Sequence, residues 1–203
     1  HECVSAPAPV DCAAPSPERT MAKKTSKKSA TKKSPAKPKA KGASAPKPVK
    51  KPVQNPPAGY HTLTPYLIVR GGVKALAFYA KALGARELYR LDMGGGKVGH
   101  AEMVVGDSPF MLADEHPEMG FRSPQSYGGT PVSLCVYVAN CDQAVERAVK
   151  AGATLQRPVQ DHFYGDRAGT VVDPFGHVWT LATHIEDVPP DEIARRAAQL
   201  HGG

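Results

Sequence analysis

The sequence has 203 residues, a formal net charge of +7 and four cysteines. This length allows one ordinary domain with extensions, or two small domains. The charge is uneven, because residues 21–54 contain twelve lysines and no acidic residue, whereas the chain from Tyr60 onward has thirteen basic and sixteen acidic residues. The basic character therefore belongs to the N-terminal part, and the remainder is a mildly acidic globular unit.

The cysteines and the hydropathy pattern exclude several classes of protein. No two cysteines have C-x-x-C spacing, so neither a zinc site nor a thioredoxin-like site is indicated. Cys135 lies in an apolar run and is predicted to be a buried free thiol. No apolar stretch is long enough to span a bilayer, and no apolar segment follows the first lysines as in a signal peptide. We expect a cytoplasmic protein with no membrane partner.

The first 59 residues lack the periodicity of a folded domain. Residues 1–20 do not begin with Met and are predicted to be a non-native or untranslated extension, and residues 21–59 a disordered tail. The tail, rich in lysine, alanine and proline, resembles those of histone H1-like proteins. The resemblance implies sequence-independent contact of residues 21–54 with nucleic acid or another polyanion, and hence nucleoid association. The alternative is a solvated extension that aids solubility.

Periodic segments begin at Thr64. The run "TPYLIV" predicts a strand, and "VKALAFYAKAL" predicts a helix that buries Val73, Leu76, Ala80 and Leu83 and ends at Gly84. Three further strands are predicted in "ARELYRLDM", "KVGHAEMVVG" and "SPFMLADE". This segment therefore has the order βαβββ.

The same order occurs a second time. It comprises the strand "TPVSLCVYV", the helix "CDQAVERAVKAG" and the strands "ATLQRPV", "GTVVD" and "HVWTLAT". The repeat predicts an α+β domain over residues 60–187, with paired βαβββ modules at about 62–116 and 129–187, followed by a C-terminal helix within 188–203. We expect the two sheets to face each other and to leave a cleft for a small molecule.

Several ordered motifs identify a family. The motifs "FY-x-KALGA" and "DPFGH-x-W" on duplicated βαβββ units resemble the vicinal-oxygen-chelate superfamily, which contains glyoxalase I, bleomycin and fosfomycin resistance proteins and extradiol dioxygenases. The stretches "HAEMVVGDSPFMLADE", "RSPQSYGGTPVSL" and "FYGDRAGTVVDPFGHVWTLATHIED" are similar to its PhnB-like branch. The resemblance implies the paired-module fold and assembly as a homodimer, and the alternative that the short linkers permit is a closed monomer.

The resemblance also places four metal-ligand positions on cavity-facing strands. They fall on Thr64, at or beside Leu112, and on Ser133 and Thr180, none of which is an imidazole, thiolate or carboxylate ligand. We therefore predict no metal cofactor of the usual kind. An atypical divalent-metal site remains open, built from His100 and Glu102 with Asp114 or His184. The alternative is that His100 and Glu102 line an open pocket or hydrogen-bond to each other.

The stretch around "DPFGH-x-W" is interpreted mainly as a hairpin. Trp179 is predicted to lie in the core and His177 to be a hydrogen-bonded turn residue. Arg167 could bind an anionic ligand through its planar guanidinium, or anchor the loop against a carboxylate. The candidate ligand-binding residues are Tyr66, Phe110, Asp114, Tyr137, Tyr164, Arg167 and His184.

Three functions follow from these observations. The first is binding of a small molecule in the cleft between the modules without metal. The second is a lyase or isomerase that uses His100 and Glu102 as its acid–base pair or as part of an atypical metal site. The third is association with nucleic acid through the basic tail.

Overall fold

The computed structural model describes residues 53–201, so the expectations for residues 1–52 lie outside the described residues. The fold class is confirmed as α+β with two βαβββ modules. The first module contains β1 (Tyr66–Val69), α1 (Gly72–Leu83), β2 (Arg86–Asp92), β3 (Val98–Val105) and β4 (Ser108–Asp114). A connecting segment with the short helix α2 (Pro124–Tyr127) follows. The second module contains β5 (Ser133–Tyr137), α3 (Cys141–Ala151), β6 (Thr154–Asp161), β7 (Asp166–Val172) and β8 (Val178–His184), and α4 (Pro190–His201) ends the described chain.

Each module forms a mixed four-stranded sheet with the same topology. The strand orders are β1-β4-β3-β2 and β5-β8-β7-β6. In both sheets the first and last strands of the module pair in parallel, and the other neighbours are antiparallel. One face of each sheet packs against helices, and we call the opposite face the open face. Alternation along the strands decides which side chains lie on it.

The start of α1 is held by a carboxylate from the end of β4. Asp114 is buried and accepts hydrogen bonds from the backbone N–H groups of Gly71, Gly72 and Val98 at 2.7–3.0 Å. A side chain at Gly72 would meet Val98 and Asp114 at less than 3 Å, so this position requires glycine. Asp114 therefore stabilises a helix start and does not face a cleft, contrary to its prediction as a ligand-binding or metal-binding residue.

The buried face of α1 differs in part from the predicted one. Leu76 and Leu83 are buried as expected, but Val73 and Ala80 are exposed. The buried stripe is completed by Ala75, Phe78, Tyr79 and Ala82. The helix is rotated toward Tyr79 because burial of a large aromatic side chain outweighs burial of a valine and an alanine.

The two modules share one hydrophobic core. The aromatic rings of Tyr79, Phe110 and Trp179 lie within 5.5–6.1 Å of each other, so α1 and β4 of the first module pack against β8 of the second. The prediction that Trp179 is core is confirmed. The His177 Nε2–H group donates to the Ile68 carbonyl oxygen at 3.1 Å, which confirms His177 as a hydrogen-bonded turn residue.

A buried carboxylate links the two modules through its hydrogen bonds. Asp173 lies in the β7–β8 turn and accepts from the Tyr79 hydroxyl at 2.8 Å and from the Trp179 indole N–H at 2.9 Å. It also accepts from the backbone N–H groups of Phe175 and His177. Four donors therefore satisfy one buried carboxylate, and one of them comes from the other module.

The open faces are not covered by the opposite module. Tyr66 and Tyr89 on the first sheet are 47% and 51% exposed, and Tyr137 on the second is 64% exposed. The expectation that the two sheets face each other is therefore wrong for a single chain. The modules instead join through their helix-covered faces, where the large aromatic side chains are. Cys135 is also exposed rather than buried, because Leu134 and Val136 point to the core and Cys135 points the other way.

None of the helices in residues 53–201 combines the length and the apolarity needed to cross a membrane.

We expect replacement of Asp173 to destabilise both modules together. Asp173→Ala leaves four donors, three of them buried, without an acceptor and should lower the free energy of unfolding by about 3 kcal/mol. Tyr79→Phe removes one donor only and should lower it by about 1 kcal/mol. Denaturant unfolding of the full chain, followed by Trp179 fluorescence, measures both values.

The control for this comparison is Asp92→Asn, at an exposed carboxylate on the edge strand β2. It should change the free energy of unfolding by less than about 0.5 kcal/mol. If Asp173→Ala were as stable as Asp92→Asn, the shared anchor would be disproved.

Candidate functional site

A groove of about 730 Å³ lies between the first strands of the two modules. Its walls are formed by β1, by the connecting segment and by the beginnings of β5 and β8. Its lining side chains include Tyr66, Arg122, Val132, Leu134, His177 and Val178. Burial lowers the pKa of His177, so this part of the wall is uncharged near neutral pH.

The connecting segment is held in place by Glu115. Its carboxylate accepts from the Ser126 hydroxyl and from the Ser123 hydroxyl and backbone N–H, and it pairs with the Arg70 guanidinium. These hydrogen bonds, led by that of Ser126, lower the pKa of Glu115 to about 2. One wall of the groove is therefore fixed to the end of β1 by a charged network that stays ionised at neutral pH.

His100 and Glu102 form a pair on the open face of the first sheet. The His100 Nε2 and Glu102 Oε1 atoms are 3.3 Å apart, and about a quarter of each side chain is exposed. The Tyr66 hydroxyl lies 3.1 Å from the His100 Nδ1 atom. The structure thus has the direct His100–Glu102 hydrogen bond that the sequence left as one alternative.

Tyr60 extends this cluster from the segment that precedes β1. Its hydroxyl is buried beside the Glu102 carboxylate and has no partner of standard hydrogen-bond geometry among the described residues. Glu102 nevertheless raises the pKa of Tyr60 to about 12, and Tyr60 in turn lowers the pKa of Glu102. No sequence pattern indicates Tyr60, since it lies outside any predicted strand or helix.

A second polar cluster lies on the open face of the second sheet. Asp166 accepts from the Tyr137 hydroxyl and contacts the His184 Nδ1 atom, both at 2.8 Å. The His184 Nε2 atom lies 2.9 Å from Asp187. Hydrogen bonds to Asp166 first and to Asp187 second raise the pKa of His184. Hydrogen bonds from His184 and Tyr137 lower the pKa of Asp166 although burial opposes the shift.

Tyr164 and Cys135 lie beside this cluster. The ring of Tyr164 stacks on His162 at 5.0 Å, and burial followed by the Asp166 charge raises the pKa of Tyr164. The same two causes raise the pKa of Cys135, so its thiol is protonated at neutral pH. The predicted residues Tyr137, Tyr164 and His184 therefore lie close together around Asp166, a residue that no sequence motif indicated.

Two predicted ligand-binding residues have structural contacts. Arg167 donates to both carboxylate oxygens of Asp142 and to Asp161. It therefore anchors this part of the chain against carboxylates, which was the alternative to binding an anionic ligand. Phe110 packs in the core, with one edge at a small cavity of about 220 Å³.

The four metal-ligand positions do not form one set. Thr64 precedes β1 and donates to the His61 carbonyl oxygen, and Leu112 is fully buried on the helix-covered side of its sheet. Ser133 and Thr180 belong to the second sheet, where Thr180 pairs with Thr170 at 3.3 Å. Thr64 therefore lies outside the strands, and of the two residues at the next position Leu112 faces the helices whereas its neighbour Met111 lies on the open face.

The alternative metal site is not assembled within the described chain. His100 pairs with Glu102, Asp114 binds backbone N–H groups, and His184 lies on the other sheet between two aspartates. Residues 53–201 contain no group of three or more His, Cys, Asp or Glu side chains placed to hold a metal ion.

The fold and the motifs define a class of protein. Residues 60–181 match the model of the Glyoxalase/Bleomycin resistance protein/Dioxygenase superfamily. The chain belongs to this superfamily.

Relatives of the chain come from distant organisms. Rv0887c of Mycobacterium tuberculosis is 42% identical over 134 residues, which are 64% of this chain and 79% of that protein. At5g48480 of Arabidopsis thaliana is 31% identical over 115 residues, which are 53% of this chain and 69% of that protein. The crystal structure of PA1353 from Pseudomonas aeruginosa matches with 26% identity and a TM-score of 0.50, and covers 61% of this chain and 98% of that one. The last match supports the paired-module fold.

We expect Asp166 to control the titration of His184. Asp166→Asn should lower the pKa of His184 more than Asp187→Asn does, because the Asp166 contact contributes more to the raised pKa. Since the pKa is raised in the folded protein, the pair stabilises the fold fully below the ordinary value of 6.5. This stabilisation is lost as pH rises through the raised pKa. NMR titration of the imidazole measures the shift, and a His184 midpoint unchanged by Asp166→Asn would contradict it.

Proposed function

We propose that this protein binds a small molecule in the groove between its modules, as a PhnB-like member of the superfamily that lacks the usual metal ligands. The observation that carries the proposal is the groove itself, about 730 Å³ in volume and lined by both modules. This volume lies within the range of about 300–1,000 Å³ typical of ligand pockets. The cytoplasmic location expected from the sequence is part of the same proposal.

The chemistry of the lining limits the ligand. Most lining residues are apolar or aromatic, His177 is uncharged near neutral pH, and Arg122 provides a positive charge. An apolar body with an acidic or acceptor group fits this lining, because its body is desolvated against Leu134 and Val178 while its charge pairs with Arg122.

The dye 8-anilinonaphthalene-1-sulfonate has this chemistry and is a suitable probe. Val132→Asp places a negative charge at an exposed position of the groove wall and should weaken dye binding about tenfold through repulsion and loss of apolar contact. Fluorescence titration of the full chain measures the dissociation constant.

The matched control is Val73→Asp, the same substitution at a surface position outside the groove. Val73 is 43% exposed in the first turn of α1, where an acidic residue is favourable. It should leave dye affinity within about twofold of the unmodified protein. Equal weakening by both variants, or by neither, would argue against the groove as the binding site.

A lyase or isomerase is the second candidate, and the 3.3 Å contact between His100 and Glu102 favours it. An oriented imidazole beside a carboxylate can transfer protons near neutral pH. This function could use the pair alone or with an atypical metal.

Metal analysis distinguishes an enzyme that uses the His100–Glu102 pair alone from one that uses it with a metal ion. Because the four transferred positions provide hydroxyls and an apolar side chain, we expect no stoichiometric zinc, nickel, iron or manganese in the purified protein. Elemental analysis of the unmodified protein and of His100→Ala measures this. Stoichiometric metal that is lost in His100→Ala would move the protein to the metal-dependent enzymes.

We also propose a homodimer. The exposed aromatic side chains Tyr66, Tyr89 and Tyr137 lie on the open faces, and exposed apolar patches of this kind mark interaction surfaces. Sedimentation equilibrium of the full chain should give twice the monomer mass, and Tyr137→Asp should shift the equilibrium toward the monomer. A monomer mass at high concentration would contradict the dimer. The nucleic-acid contact of residues 21–54 stays a prediction, since residues 21–52 lie outside the described chain.

A further inference from the structure

Three side chains on β1 and β3, the strands on either side of β4, form a continuous line of hydrogen bonds. In the sheet register Tyr66 lies opposite Met111, and Met111 lies opposite Glu102, so these side chains share the open face. His100 is two residues before Glu102 on β3 and lies on the same face. The line runs from the Glu102 carboxylate through both His100 ring nitrogens to the Tyr66 hydroxyl, with separations of 3.3 Å and 3.1 Å.

The charge state of Glu102 fixes the protons along this line. The Tyr60 hydroxyl, and then His100, lower the pKa of Glu102, so its carboxylate is ionised at neutral pH and can only accept hydrogen bonds. The His100 Nε2 atom must therefore carry a hydrogen directed at Glu102. In neutral His100 the Nδ1 atom is then an acceptor, and the Tyr66 hydroxyl donates to it.

We propose that Glu102, His100 and Tyr66 form a proton relay that ionises a weakly acidic hydroxyl compound, a phenol or an enol, bound beside Tyr66. The inference rests on the proposed small-molecule function and names the chemical class of the ligand. Tyr66 is the member that meets the ligand, since it also lines the groove and is nearly half exposed. His100 is the base, and Tyr60 and Glu102 are positioning residues.

The proton transfer is balanced within these groups. The ligand O–H bond breaks and its proton passes to the Tyr66 oxygen, while the Tyr66 O–H bond breaks and that proton passes to His100 Nδ1. The products are a ligand oxyanion that accepts a hydrogen bond from Tyr66, and an imidazolium paired with the Glu102 carboxylate. Burial raises the pKa of Tyr66, so Tyr66 passes a proton on and does not rest as a phenolate.

The geometry also explains why a hydroxyl compound suits the site. The Tyr66 hydroxyl gives its proton to His100 and takes one from the ligand, so its own charge does not change. This exchange requires a ligand oxygen within hydrogen-bond distance of the Tyr66 oxygen. The positive charge of Arg122 in the groove lining favours the ionised ligand over the neutral one. Once formed, the oxyanion is stabilised by a charge-assisted hydrogen bond from Tyr66.

The first test needs no ligand. Nitrogen-15 NMR of histidine-labelled full chain reports which ring nitrogen carries the hydrogen, with His100→Gln used to assign the signal. We expect Nε2–H for His100, and a larger fraction of the Nδ1–H form in Glu102→Leu. Tyr89→Phe is the matched control, because its ring lies 6.3 Å from His100 and its hydroxyl makes no hydrogen bond to a described residue.

The second test uses 4-nitrophenol, whose phenol and phenolate forms differ in visible absorbance and whose pKa lies near neutrality. We expect the bound compound to be mostly phenolate at a pH where the free compound is mostly phenol. Tyr66→Phe and His100→Gln should each weaken binding about tenfold and abolish the excess phenolate absorbance. Tyr89→Phe should retain both.

The outcomes distinguish the relay from groove binding in general. A predominant Nδ1–H form of His100 in the unmodified protein overturns the relay, whatever binds in the groove. Failure of 4-nitrophenol to bind, or binding that Tyr66→Phe leaves unchanged, overturns the assignment of the ligand class. Neither result affects dye binding at Val132, which tests the proposed function separately.

Discussion

The buried carboxylate of Asp173 is the interaction on which the arrangement of the two modules depends. It receives hydrogen bonds from Tyr79 of the first module and from Trp179 and two backbone N–H groups of the second. A carboxylate is tolerated in an apolar core only where such donors replace its hydration. Because these donors come from both modules, the aromatic core around Asp173 joins the modules at their helix-covered faces.

The open faces and the groove follow from that arrangement. With the helix-covered faces in contact, the open faces remain accessible, and Tyr66, Tyr89 and Tyr137 are exposed on them. The first strands of the modules then lie near each other without pairing, and the space between them is the groove. Tyr66 lines this groove and also contacts His100, so a bound molecule and the His100–Glu102 pair meet at one side chain.

The sequence predicted the fold better than the site, for physical reasons. Hydrophobic periodicity and the repeated βαβββ order report local structure, and they located the strands and helices of both modules. The alternation of side chains between the two faces of a strand is also a local property. Leu134 and Val136 therefore point to one face of the sheet and Cys135 to the other. Which face becomes buried is decided by distant packing, and this is why the sequence placed Cys135 and the open faces in the interior.

The candidate site was predicted in part. The spacing of His100 and Glu102 correctly placed them on one face, since a period of two is a local property. Asp114 has a carboxylate that could bind a metal ion or a small molecule. In the fold, this carboxylate instead accepts hydrogen bonds from the backbone N–H groups of Gly71 and Gly72, more than forty residues earlier in the chain. Tyr60 belongs to no regular element, so its position beside Glu102 has no sequence period to reveal it.

A chemical-shift map tests most directly whether the groove between the modules is the ligand site. Isotope-labelled full chain would be titrated with 8-anilinonaphthalene-1-sulfonate, and the shifted backbone and methyl signals would be placed on the structure. We expect the largest shifts at Tyr66, Val132, Leu134 and Val178, which line the groove on both modules. Shifts confined to Cys135, Tyr137 and Tyr164 on the open face of the second sheet would contradict it.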